Sequence, residues 1–150
     1  HTSVAVDGYT EMSSAVFTDS AVICNFCFFW VPRSIVFDFA KAVTGFPITM
    51  ERWRKENGPR IVTLQRALLL MGGPDAKWRP IEDDDNPPRF YEPLPSGPHK
   101  GKTTSKELVE QKRRTFFKTL GWDERGVPTK ETLQKLDLAD LEPSMKNLRK

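Results

Sequence analysis

Both cysteines of the chain, Cys24 and Cys27, stand three residues apart in "DSAVICNFC", Asp19 to Cys27, behind an acid. A C-x-x-C pair does thiol–disulfide chemistry when it opens a helix that follows a strand, where the helix end lowers one thiol's pKa. Here the pair lies inside "AVICNFCFFW", with no strand before it and no proline between the cysteines. A zinc site needs two more thiol or imidazole ligands. The histidines on offer, His1 and His99, are not at ligand-pair spacing. Two further uses stay open. Both thiols pack in a core, since free cysteine is among the most buried residue types, or one thiolate completes an iron–sulfur cluster whose other ligands lie outside the chain. Spacing alone does not choose.

The elements that must position these residues read as helices. From Ser34 to Thr44, Ile35, Val36, Phe39, Ala40 and Val43 recur at helical spacing before a capping glycine, Gly45, which predicts a short buried helix. Thr49 opens the next, with Trp53, Ile61, Leu64, Leu68 and Met71 on one stripe. Pro59 predicts a kink near Gly58 or a fresh start, and Gly72-Gly73-Pro74 ends the element. Residues Pro74 to Lys102 hold seven prolines and the run Asp83-Asp84-Asp85, without helical or strand period. Trp78, Phe90, Tyr91 and Leu94 predict that this segment is held down rather than disordered. Thr104 and Glu107 have capping-box spacing, with Leu108, Val109, Phe116, Phe117 and Leu120 following to Gly121. Pro128 and Thr129 start a last helix with Leu133, Leu136 and Leu141 inward, and the tail beyond Pro143 is expected to fray. No window alternates with period two, so the fold class is all-α.

With 150 residues, 38% hydrophobic and 11% aromatic, the chain suffices for one core, and a single helical domain over 1–150 is expected. Its 23 basic and 20 acidic residues give a formal charge of +3, a mixed balance that argues against nucleic-acid binding. Arg52, Lys55, Arg60, Arg66 and Lys112 to Arg114 fall at spacings that fit solvated helix faces. Two cysteines are too few for a disulfide framework and point to a reducing, cytoplasmic compartment. The most apolar window, Ala21 to Val36, is broken by Asn25, Pro32 and Arg33, short of the roughly 20 apolar residues of a membrane span. No secretory signal layout is read before it, and no membrane partner is expected. The chain begins with His1 rather than methionine, so a piece of something longer is expected.

Three stretches, taken together, resemble the C-terminal region of the tungsten-dependent aldehyde ferredoxin oxidoreductase family. "RIVTLQRALLLMGG", Arg60 to Gly73, resembles that family's R-I-x-x-L-x-R-A-aromatic-x-x-R-x-G helix. "DDDNPPRFYEPLPSGPHKGK", Asp83 to Lys102, resembles its D-x-L-P-x-R segment and the following P-x-G-P-x-K-G. "LGWDERGVPTKETLQKLDLADL", Leu120 to Leu141, resembles its closing G-W-D-x-x-G-x-P-T run, and the three stand in the family's order. Upstream, Asp19 to Asn25 resembles its D-x-x-G-L-C-x motif, with Val22 at the glycine and Ile23 at the leucine. The helix also departs at Leu69 to Met71, where the family's asparagine and arginine give way to apolar residues.

The resemblance implies an irregular helical domain with a long proline-rich ordered loop, part of a tungsten–bis-pterin, iron–sulfur enzyme. It implies that Asp19 binds the amino edge of one pterin, with Ile23 and Asn25 beside it, and that Cys24 is the fourth ligand of a [4Fe-4S] cluster. Cys27 matches no ligand and keeps the core reading. The implied partners are the remainder of the parent enzyme or a complementary subunit, a ferredoxin-type electron carrier, and a second copy in a homodimer. The implied reaction is aldehyde to carboxylate or a related oxidation. The alternative is a non-catalytic helical interaction module that kept the fold and lost the cofactor.

Overall fold

Glycine and proline punctuate the chain much as its sequence predicts, and a computed structural model, which describes residues 17–24, 26, 31–75 and 77–149, is helical between them. Helix α1 (Arg33–Thr44) follows Pro32 and stops at Gly45, whose φ of 71° lets its N–H donate back to the Lys41 carbonyl. A rod then runs from α2 (Met50–Arg52) through a π-turn (Trp53–Asn57) into α3 (Gly58–Met71). Thr49 caps it, its hydroxyl accepting the Arg52 N–H at 3.1 Å. As expected, the α-helical run starts afresh around Pro59, which stands in the first turn of α3. Its ring would crowd the preceding turn of a regular α-helix; instead that turn is widened, with the Gly58 N–H donating to Trp53 O, five residues back.

Helix α4 (Lys106–Leu120) is capped by Ser105, whose hydroxyl accepts the Leu108 N–H at 3.1 Å, not by Thr104 as the spacing suggested. Gly121, at φ 72°, ends it. Thr129 caps α5 (Lys130–Lys135), and a 3-10 turn (Ala139–Leu141) leads into α6 (Glu142–Leu148). The expected fraying beyond Pro143 is therefore wrong: Met145 is fully buried, and Arg149 pairs with Glu142 and donates to the Pro128 carbonyl. Among the described residues there is no strand, only an isolated bridge between Trp122 and Pro128, so the fold is all-α. Within the same residues no helix is long and apolar enough to cross a membrane.

Two apolar clusters meet along α3. Phe17, Phe37, Trp53, Val62, Phe117, Leu120 and Trp122 form the first, and Ala67, Leu70, Val127, Leu133, Leu136, Leu138 and Met145 the second. The stripe expected along the rod holds for Trp53, which is buried, and Ile61, which is half-buried, but is turned beyond them: Leu64, Leu68 and Met71 are exposed, while Val62, Thr63, Arg66, Ala67 and Leu70 face inward. The reason is Arg66, assigned to a solvated face by its charge, whose side chain is only 7% exposed. On α1 the expected stripe is likewise split. Phe37 enters the core with Val36 and Ala40 half-buried, and Ile35, Phe39 and Val43 remain outside.

Arg66 lies between the clusters and ties distant segments together. Its Nη1 and Nη2 donate to the two carboxylate oxygens of Asp84 at 2.6 and 2.7 Å, and its Nε donates to Gly126 O at 2.8 Å. The guanidinium lies over Phe117 and Trp122, at 5.4 and 5.5 Å from the ring centroids. Asp84 also accepts the Trp78 indole N–H at 2.9 Å and the Ile81 N–H at 3.1 Å, which holds Ile81 at a left-handed φ of 76°. The proline-rich segment is thus held down by a carboxylate together with Trp78, which packs against the second cluster, and the half-buried Tyr91; Phe90 and Leu94, also expected as apolar anchors, are about half-exposed. Its neighbours divide the labour. Asp83 takes the Arg79 guanidinium and N–H, and Asp85 takes the Tyr91 hydroxyl and the Asn86 N–H.

Burial pushes the Asp84 carboxyl up, yet the hydrogen bonds from Arg66, the Ile81 N–H and the Trp78 indole outweigh it, leaving the group below its ordinary 3.8. A carboxyl lowered in the folded state stabilises above the unfolded value and loses that contribution as pH falls through the folded one. Asp84→Asn should cost about 3–5 kcal/mol at pH 7 by leaving Arg66 buried and unpaired. It should also flatten the loss of stability below about pH 4, both read by denaturant titration across pH. Gly126 offers a second test. Its φ is 72°, and an added Cβ would lie 2.6 Å from both Arg66 Nη2 and Phe117 Cζ. Gly126→Ala should cost roughly 3 kcal/mol by combined strain and overlap. Gly97→Ala, at φ 84° in open space, should cost only about 1 kcal/mol in the same titration.

Candidate functional site

The segment with Asp19 and Cys24 is anchored in the first cluster by Phe17, with Thr18 also buried. Residues 17–20 are helical, and Phe17 stacks on Phe37 with centroids 4.0 Å apart and planes at 17°, edge-on to Trp53 at 4.9 Å. The chain leaves this turn through a Schellman motif: the Ile23 N–H donates to Thr18 O at 2.9 Å and the Val22 N–H to Asp19 O at 3.1 Å. The motif needs a left-handed residue at its hinge, normally glycine. Val22 takes that place at φ 56° and is 92% exposed, so no burial offsets its strain. It is also the residue standing at the glycine of the D-x-x-G-L-C pattern. A turn of the kind that favours glycine is thus made here with valine.

This turn sets Asp19 and Cys24 on either side of the hinge, both exposed, with Ile23 half-buried between them. Cys24 carries its sulfur as a thiol outside any disulfide. It does not pack in either core cluster of the described residues. Asn25 and Cys27, like His1, lie outside the described residues. Among the described residues no group of three or more histidine, cysteine or acidic side chains comes together as a metal site. The donor set fits a shared site: an outward thiol can give one ligand to a cluster held mainly elsewhere, and an outward carboxylate can accept N–H donors from an organic ring.

A separate open cleft of about 1160 Å³ lies between Leu68 and Leu69 of α3 and the proline-rich segment, chiefly Trp78, Asp85, Pro87 and Pro88. None of Asp19, Ile23 and Cys24 lines it. Asp85 at its edge is kept below the usual carboxylate range by the Tyr91 hydroxyl and the Asn86 N–H, and the Lys106 ammonium sits 5.2 Å from the Tyr91 ring centroid. The departure at Leu69 falls here and makes this wall apolar. Sequence reasoning missed the cleft; the adjacent Leu68 and Leu69, too many for one stripe, were the available signal.

The three stretches of the resemblance converge in space, since Arg66 of the first grips Asp84 of the second and the Gly126 carbonyl of the third. The profile of the family described as "Aldehyde ferredoxin oxidoreductase, domains 2 & 3" matches residues 7–138. The chain belongs to this family. It is 47% identical, over its whole length, to a Pyrococcus furiosus protein named "Aliphatic sulfonate oxidoreductase, WOR-like subunit". It is 36% identical, over 81% of its length, to the "Tungsten-containing aldehyde ferredoxin oxidoreductase" of Pyrococcus furiosus. The chain spans 24% of the first relative and 19% of the second.

Within this family domain, Val22→Gly should relieve the hinge and raise stability by about 1–2 kcal/mol in denaturant titration. No gain would show that the turn is not strained.

Proposed function

We propose that this chain is the C-terminal helical portion of a tungsten–bis-pterin, iron–sulfur oxidoreductase. Asp19 accepts hydrogen bonds from the amino edge of one pterin, Ile23 and Asn25 lie against the same ligand, and Cys24 supplies one thiolate to a [4Fe-4S] cluster. The observation that carries this reading is the Schellman turn that presents Asp19 and Cys24 outward together, with its left-handed residue at the motif's glycine. Membership of the family supports it, as do two oxidoreductase relatives, one of them named as tungsten-containing. When bound, the tungsten cofactor supplies two-electron chemistry and the cluster passes electrons singly to a ferredoxin-type carrier.

The chain's own share is positional. Its carboxylate suits a donor-rich ring edge, and a thiolate five residues on fixes cluster and pterin to one short element. The Arg66 tie holds the apolar wall at Leu68 and Leu69 against the proline-rich segment, where it forms part of a substrate channel. Substrates are aldehydes or, following the name of the relative that matches the whole chain, aliphatic sulfonates. The enzyme works in the reducing cytoplasm, as a monomer or homodimer of full-length chains, and the isolated chain is inactive. A second reading, a helical interaction module without cofactor, draws on Val22 in place of glycine.

Anaerobically isolated native protein should contain tungsten and iron; absence of both would leave the interaction module. In the full-length enzyme, Cys24→Ser should lower iron content with the helical circular dichroism unchanged, and unaltered iron would remove its ligand role. Asp19→Asn should reduce tungsten retention, and full occupancy would remove the pterin contact.

A further inference from the structure

An ordinary surface helix carries one apolar stripe of about 100° and turns a polar face to water. Helix α1 does not. At about 100° per residue its apolar side chains, from Ala42 and Ile35 round to Phe37, sweep roughly 220° of the circumference, interrupted only by the terminal Arg33 and Thr44, and Ser34, Asp38 and Lys41 share the remaining arc of about 140°. Only the Phe37 side enters the first cluster. The outer side stays in solvent, with Phe39 66% and Val43 84% exposed, and Phe46 just beyond Gly45 is 66% exposed. A patch of this kind on one helix marks an interaction surface.

We propose that this outer face of α1 is the surface on which the cofactor-bearing remainder of the full-length enzyme docks. The proposal rests on the function proposed above and adds where the two parts meet. Two observations select the occupant. The chain spans 24% and 19% of its relatives, so family members supply several times as much protein as is described here. The Phe17–Phe37 stack also joins the Asp19–Cys24 segment directly to α1. Whatever body brings the missing ligands to Cys24 therefore reaches a segment that is anchored on α1. Val22 and Phe26, flanking Cys24 in sequence, are also exposed and give such a body further apolar side chains to cover.

The test uses the native full-length enzyme carrying Val43→Cys, with Ala42→Cys as a second probe should the first fail to accumulate. Thiol alkylation at that position is followed by peptide mass spectrometry, in the native state and in guanidinium. Native labelling slower by more than about tenfold, independent of protein concentration, is the expected result. Labelling within about tenfold of the unfolded rate overturns the proposal. Protection that disappears on dilution also overturns it, because the occupant is then a second copy. Tungsten content, measured on the same sample, separates the two readings: tungsten present with position 43 reactive removes the docking surface alone, and tungsten absent with position 43 protected removes the cofactor role alone.

Discussion

The buried pairing of Arg66 with Asp84 is the constraint around which the described fold is organised. A guanidinium with a 7% exposed side chain is tolerable only if its charge and its N–H groups are answered. Here they are answered by a carboxylate 18 residues away, a carbonyl 60 residues away and two aromatic faces. Each partner is fixed in turn: Asp84 by Trp78 and the Ile81 N–H, and Gly126 by a close approach that excludes any side chain. Replaced as a unit by apolar residues of similar volume, the pair need not leave the domain less stable. What it provides is position, because it pins the proline-rich segment against α3 at Asp84. That placement in turn forms the cleft beside Leu68 and Leu69.

Local features of this architecture were legible in the sequence because they are satisfied by near neighbours. The stops at Gly45 and Gly121 and the caps at Thr49 and Thr129 involve residues three or four positions apart. The orientation of α3 was not legible. In "RALLLM" nearly every position is apolar, so periodicity leaves the inward face undetermined, and the lone charge argues for the wrong one. Its partner lies in another segment, among three consecutive aspartates that look interchangeable. The tail misled similarly: a basic composition suggested fraying, while Met145 and Arg149 are fixed by contacts that composition does not reveal.

The candidate site was legible only through motif likeness. Aspartate, cysteine and their spacing left several chemistries open, and the left-handed turn joining them runs against the preference of the valine that adopts it. That conflict between residue and backbone is informative, since local sequence disagrees with local structure mainly where something else fixes the structure. The stripe on α1 was also read correctly as apolar. The core reaches its Val36 and Ala40 but not Ile35, Phe39 and Val43.

The last turn has an implication for handling the protein. Arg149 reaches back to the Pro128 carbonyl, in the segment that carries Gly126 and so the socket of Arg66. The turn around Arg149 is therefore mechanically connected to the interior lock. A substitution at Arg149 would tug on the central fastening rather than on a loose thread.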